Sequence, residues 1–269
     1  MNSQKVKNPF LSSLAIQIRV VKALIRREYI TLSGKSGLGF LMLFGEPLVV
    51  MLFVMIMVGR SKIHATTDFP AYDFIISGWG ILWLARYPIQ RMGGALLGNA
   101  SFLYHRNIKI FDILAARTLL MMGASVTSFV IIFILYMAIS PSISIYNVYY
   151  IFFSFAYVEW YTFNICIITG ILTGYTFLGD KVSILMSIIH LFASGAFFMV
   201  TWLPQEIQGY VLLSPLVDAT EMMRYGFYGD KVECLFSISY MLCFNLFMSY
   251  FCLRRTYVLT KTRSLILDS

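Results

Sequence analysis

An all-α integral membrane protein with six transmembrane helices is the fold class predicted by this sequence, and three observations predict it. Hydrophobic residues make up 59% of the 269 positions and charged residues only 13%, against about 25% charged in an ordinary soluble domain. Six apolar runs approach or exceed the ~18 residues that let a helix cross roughly 30 Å of hydrocarbon, and a helix satisfies its own backbone there. The net charge of +8 is carried mainly by the connections between runs, where anionic lipid attracts it, so nucleic acid is not implied.

In chain order, residues 1–36 form a basic N-terminus. Leu11, Leu14, Ile18, Val21 and Ile25 recur at helical spacing, and Arg19, Lys22 and Arg26 follow one residue behind. That pattern predicts an amphipathic helix on the cytoplasmic leaflet; a solvated basic arm is the alternative. These 36 residues hold seven Lys or Arg and no sustained apolar core, so the first run is expected to be its own insertion signal. The runs are 38–58, 72–97 (interrupted near Pro88), 118–139, 148–178, 182–203 and 234–253, within a membrane domain over 37–253. A tail over 254–269 is expected to be cytoplasmic. With the N-terminus inside, and Arg86 and Arg91 counted with the connection they approach, inner segments hold 17 Lys and Arg and outer ones 4. Both termini are therefore expected in the cytoplasm.

Two connections carry pattern. After the second run, a short cytoplasmic helix is expected over about 98–110, with Asn99 or Ser101 as its cap. Phe102, Leu103, Arg106 and Lys109 would give it a mixed apolar and basic surface, suited to a protein partner or to lipid headgroups. Before the last run, 204–230 divides at Ser214 and Pro215 into two short helices, each too short to span. Pro204 and Pro215 suit a first turn, and Ser214 an N-cap. In the second helix Leu216, Ala219, Thr220, Met223 and Phe227 share one face, and Asp218, Glu221, Tyr225 and Tyr228 the other. The apolar face is expected against lipid or protein and the polar face toward water or a passing solute, in a re-entrant or surface-lying pair ended by Gly226 and Gly229.

The chemistry points to transport. SGKSG at 33–37 mimics the end of a P-loop, but Tyr29 stands where the motif needs glycine and a helix precedes it. No serine elbow or zinc-helix motif occurs, so no catalytic residue is assigned. Cys166, Cys234, Cys243 and Cys252 lie in or beside apolar runs, the last three nine residues apart, which favours neither a disulfide framework nor a metal site. Glu46, Glu159, Arg86 and Arg91 lie within apolar runs, where charge is costly and usually faces a protein interior or a wet path. Glu46 has a second reading, satisfying backbone donors freed by Pro47; the arginines have one too, snorkelling to the interface. Trp79, Trp83, Tyr157, Trp160 and Tyr161 would serve as interface anchors or as faces for sugar stacking.

Three segments carry a family resemblance: SGLGFLMLFGEPLVVMLF (36–53), IKIFDILAARTLL (108–120) and SPLVDATEMMRYGFYGD (214–230). With the order of runs, they make the chain resemble the permease subunit of type-2 ABC exporters, most closely the capsular-polysaccharide export permeases of Gram-negative inner membranes. The resemblance implies a homodimer served by two ATPase subunits, which would bind the ATP and Mg, with no cofactor on this chain. It implies that Ser101, Phe102, Leu103, Tyr104, His105, Arg106 and Lys109 couple to the ATPase and that the first helix is a gate. It further implies a periplasmic copolymerase, an outer-membrane export protein and a lipid-linked polysaccharide cargo. Candidates for the path or gate are Glu46, Trp79, Trp83, Arg86, Arg91, Glu159, Trp160, Asp218, Glu221, Arg224, Tyr225 and Tyr228. Export of O-antigen or teichoic-acid-type polymers is the alternative within the class. A self-contained carrier or channel would call for matched broken helices in two inverted halves, which the sequence does not display.

Overall fold

The computed structural model of the chain describes residues 9–33, 38–59, 71–104, 108–139, 145–175 and 179–267. Among these residues there are helices and no strands. The α-helices are α1 (Pro9–Ser33), α2 (Leu38–Gly59), α3 (Ala71–Gln90), α4 (Ile110–Ile139), α5 (Val148–Tyr175), α6 (Gly179–Phe192), α7 (Gln205–Val211), α8 (Pro215–Tyr228) and α9 (Ile238–Leu267). Short 3₁₀ turns cover Leu97–Tyr104, Val200–Trp202 and Gly229–Lys231. By length and composition, the described stretches Ile110–Ala138 and Val148–Gly174 can each cross a membrane.

α3 is the axis of the bundle. It packs against α2, α4, α5, α6 and α8, and Ile81, Leu82, Leu84 and Ile89 on it are fully buried. The long helices alternate in direction around it. α1, the turn after α3, the start of α4 and the last turns of α9 meet at one end, where Gln17, Lys109 and Lys261 line a common groove. α8 lies at the other end, against α3 and α5.

Several boundaries differ from the sequence expectation, each for a physical reason. α3 stops at Gln90 rather than 97, because the chain turns at Gly94, whose φ is +64°. α4 starts at Ile110, eight residues before the third apolar run, because the Asp112 carboxylate accepts the Lys109 N–H at 3.0 Å and closes the first turn. The run 182–203 is not one helix: α6 ends at Phe192, and 193–199 leave the helix. α9 begins at Ile238 and continues to Leu267, so the expected tail is largely a helical extension. The α1 stripe divides. Leu24, with Val21 and Ile25 beside it, packs on Ile113 and Ala116 of α4, whereas Leu14 and Ile18 are exposed; the side chain of Leu11 lies outside the described residues.

The pair α7 and α8 forms as expected, with Pro215 in the first turn of α8 and Gly229, at φ +58°, closing it. Pro204 precedes α7 as its N-cap residue, and Gly226 sits inside α8 rather than ending it. Its role is close approach: a Cβ there would stand 2.6 Å from Ile151 Cγ1 and 2.9 Å from Ile151 N. Beside it, Asn147 N–H donates to the Gly226 carbonyl at 2.9 Å and Tyr146 N–H to Phe227 at 3.2 Å.

Gly226→Ala is therefore expected to destabilise the protein by about 1–3 kcal/mol, read as a lower thermal midpoint in detergent. Gly45→Ala, whose Cβ meets nothing within 4 Å, should raise the midpoint slightly, because alanine loses less backbone freedom in a helix.

Candidate functional site

Two polar centres, one at each end of α3, and an aromatic column between them gather many of the residues singled out from the sequence. The first is built by α8. Where α6 ends, the chain from Ala193 to Phe198 runs unwound, buried at Ser194, Gly195 and Ala196, and its carbonyls need donors. α8 supplies them. Ser214 Oγ donates to Ala193 O at 2.5 Å and Thr220 Oγ1 to Ser194 O at 2.7 Å. Arg224 donates to Phe198 O at 2.7 Å, Gly195 O at 2.9 Å and Ala196 O at 3.4 Å. Its guanidinium also lies 4.4 Å from the Phe74 ring of α3 and 3.0 Å from Glu221 Oε1, with both side chains fully buried. Glu221 in turn accepts the Val200 N–H at 3.4 Å. Gly78 of α3 makes room, since a Cβ there would stand 2.7 Å from Ala196 O and 2.9 Å from the Arg224 guanidinium.

This arrangement corrects the face assignment of α8. Asp218, Glu221, Arg224 and Tyr228 are buried, so the polar face turns into the bundle rather than toward water. Ser214 occupies the N-cap position, but its hydroxyl serves Ala193 instead of its own helix. Tyr225 is the half-exposed member. Its hydroxyl and that of Tyr146 donate to the two oxygens of Asp230, at 3.2 and 3.1 Å, and the bond to Asp230 pushes the Tyr146 phenol above its ordinary pKa.

From this centre an aromatic column descends α3. Phe74 stacks on Trp202 at 5.4 Å, and Trp79 meets Phe197 edge-on at 5.5 Å. Trp79 stacks on Trp83 at 6.2 Å, and Trp83 on Tyr87 at 6.4 Å. Arg86 donates to Ser187 of α6 at 3.0 Å, and Arg91 lies 5.5 Å from the Tyr87 ring while pairing with Glu46 of α2. Glu46, Trp79, Trp83, Arg86 and Arg91 thus share one column. Glu159 and Trp160 stand apart from it on α5: Trp160 donates to Ser249 of α9 at 2.9 Å, and Glu159 Oε1 has no partner among the described residues.

The second centre ties α1 to the turn after α3. Arg117 of α4 donates to Glu28 at 2.9 Å, to Arg91 O at 2.8 Å and to Gly93 O at 3.1 Å. Asn99 receives a hydrogen bond from Arg27 and donates to Glu28 at 3.3 Å and Ala95 O at 2.8 Å, so it bridges rather than caps. Arg27 covers the Phe102 ring at 4.0 Å. Of the expected coupling residues, Ser101 and Lys109 are exposed, and Phe102 and Leu103 are half-buried. The side chain of Tyr104, and His105 and Arg106 altogether, lie outside the described residues. A cleft of about 390 Å³ opens beside this centre, lined by Glu46, Arg91, Arg117, Asp180 and Ser183 among others.

Sequence reasoning missed Glu28 and Arg117. Glu28 is the one acid among the first 45 residues, and Arg117 interrupts an apolar flank; both were visible as misplaced charges. It also missed His190, which bridges the Met186 carbonyl at 2.6 Å and the Tyr161 hydroxyl at 2.9 Å.

At the first centre, exchanging the buried charges by Glu221→Arg with Arg224→Glu should not restore what either single change destroys. A glutamate at 224 cannot donate to the carbonyls at 195, 196 and 198. Each single change is expected to cost about 3–5 kcal/mol, and the double variant should fail equally in thermal stability and in membrane yield.

No family model matches the chain. Curated proteins do. The chain is 33% identical over 241 residues to the capsule polysaccharide export inner-membrane protein CtrC of Neisseria meningitidis serogroup A, covering 89% of this chain and 91% of that one. It is 33% identical over 245 residues to the capsule polysaccharide export inner-membrane protein BexB of Haemophilus influenzae, with the same coverage. The polysialic acid transport protein KpsM of Escherichia coli is more distant, at 23% over 237 residues, 87% of this chain and 91% of that one. The aligned region takes in nearly the whole bundle, and the chain belongs to the family of capsule polysaccharide export inner-membrane proteins.

Proposed function

We propose that this chain is the membrane-spanning permease of an ATP-driven exporter that moves lipid-linked capsular polysaccharide across the bacterial inner membrane. The observation that carries this is the 33% identity to two capsule export proteins along 89% of the chain. The fold is compatible with six crossings, by α2, α3, α4, α5, the α6 segment with its unwound extension, and α9. The end that gathers α1, Arg91, Lys109, Arg117 and Lys261 faces the cytoplasm in this reading, in keeping with the retention of cationic segments there. Both termini then lie inside, and α8 lies toward the periplasm.

ATP and Mg are assigned to two separate ATPase subunits serving a permease homodimer, with a periplasmic copolymerase and an outer-membrane export protein beyond it. The segment Leu97–Tyr104 is the surface through which the ATPase would act. Asn99 and Phe102 bind it to α1, and the carbonyls of Arg91 and Gly93 bind the preceding turn to α4. A push on this segment would therefore reach α1 and α4 together. The column on α3 joins it to the α8 centre, so the same push has a stiff route to the far end.

Deleting this gene from a capsulated strain should leave polymer synthesised but retained inside the cell, and complementation should restore surface capsule. A deletion strain that still displays capsule would refute the export role. Within the complementing protein, Asn99→Leu should lower surface capsule while the ATPase still copurifies, because the docking surface remains and its link to α1 is lost.

A further inference from the structure

α3, α4, α6, α8 and α9 all pack on α5, yet one stripe of that helix stays accessible. Tyr149 and Phe152 on it are 75% and 64% exposed, Ala156 is exposed, and Glu159 and Phe163 are half-buried. These five recur at spacings of three, four, three and four residues, the period of a seam between two packed helices. Four of them suit a lipid surroundings, and Glu159 does not. It lies within three residues of the midpoint of a helix long enough to cross the membrane, so its side chain reaches neither interface. Its Oε1 is buried without a hydrogen-bond partner, and its carboxylate enters no ion pair among the described residues.

A carboxylate at that depth is costly until a cation or a donor meets it, and acyl chains offer neither. A second copy of this chain does not offer the cation. Arg86, Arg91, Arg117 and Arg224 are engaged within their own chain. The other described cations lie on α1, beside the starts of α4 and α6, in the turn after α8, or in the second half of α9 beyond Ser249, which is level with Trp160. We propose that the stripe is the docking seam for a transmembrane helix of a different chain, one that carries a lysine or arginine at mid-depth and sets it on Glu159. Ala156 lets the two backbones approach, and Phe152 and Phe163 flank the incoming side chain. The inference rests on α5 crossing the bilayer and not on the cargo, so its failure leaves the export reading intact.

The test uses the full-length chain in liposomes with a labelled synthetic helix of about 23 residues, rich in leucine and alanine and bearing either lysine or leucine at its centre. Association is read by resonance energy transfer. The lysine helix should bind roughly tenfold more tightly than the leucine helix, the scale of one polar contact between membrane helices. Glu159→Gln should cut that preference to about threefold or less, and it should leave the thermal midpoint in peptide-free detergent unchanged, since the carboxylate has no partner in its own chain to lose. Glu159→Lys should transfer the preference to a helix bearing glutamate at its centre. Equal binding of the lysine and leucine helices by the parent, or a preference undiminished in Glu159→Gln, overturns the inference. So does photocrosslinking from a benzophenone side chain at position 152 in the capsulated host, if it joins this chain only to lipid or to a second copy of itself.

Discussion

One constraint governs the end of the molecule where α8 lies: a backbone that leaves the helix inside a membrane domain must still find hydrogen-bond partners. Arg224 meets most of that demand alone, reaching three carbonyls of the unwound chain while Glu221 holds its charge. Ser214 and Thr220 complete the set from the same helix. The break in α6 and the existence of α8 are therefore one feature. Without α8 the segment after Phe192 would have to rewind or bring in water, and without the unwound segment Arg224 would lose the three carbonyls it serves. Hydrogen bonds to charged groups contribute about 1.5–3 kcal/mol each, enough to fix one conformation of a chain that apolar packing alone would leave undecided.

The two polar centres differ in character. Around Arg224 the charges are fully enclosed, which favours a single arrangement. Around Glu46 and Arg91 both side chains keep more than 40% exposure, and a pair in that setting contributes only about 0–1 kcal/mol. Glu28 and Arg117 are intermediate, at 7% and 15%. The fully enclosed pair thus lies at the α8 end of α3, and the exposed pair lies beside the cleft at the other end.

Much of this organisation was legible in the sequence, and the parts that were not share a cause. Apolar length located α2, α4 and α5, and Pro215 marked the start of α8. The end of α6 was invisible to the same criterion, because 193–200 is as apolar unwound as it would be helical; the small residues Ala193, Ser194, Gly195 and Ala196 were the available signal. The face of α8 was misassigned for a deeper reason. In water an amphipathic helix turns its polar side outward, but in a membrane domain the outside is apolar, and charge is drawn inward. Pattern revealed two faces and could not say that both are inside. The long-range links of Glu28, Asn99 and Arg117 escaped because the partners are 24 to 89 residues apart, a separation that local periodicity cannot register.

The unbroken length of α9 changes what the C-terminus can do. Thirty residues make a rod of about 45 Å, against roughly 30 Å of hydrocarbon. The rod is clamped near its middle, where Ser249 bonds Asn164 and Trp160 of α5. Such a rod acts as a lever: a small tilt at the clamp becomes a larger sideways displacement where its last turns meet α1 and the start of α4. The inclination of the bundle is therefore coupled to the corner formed by α1 and α4, a coupling that a slack segment of the same length could not make.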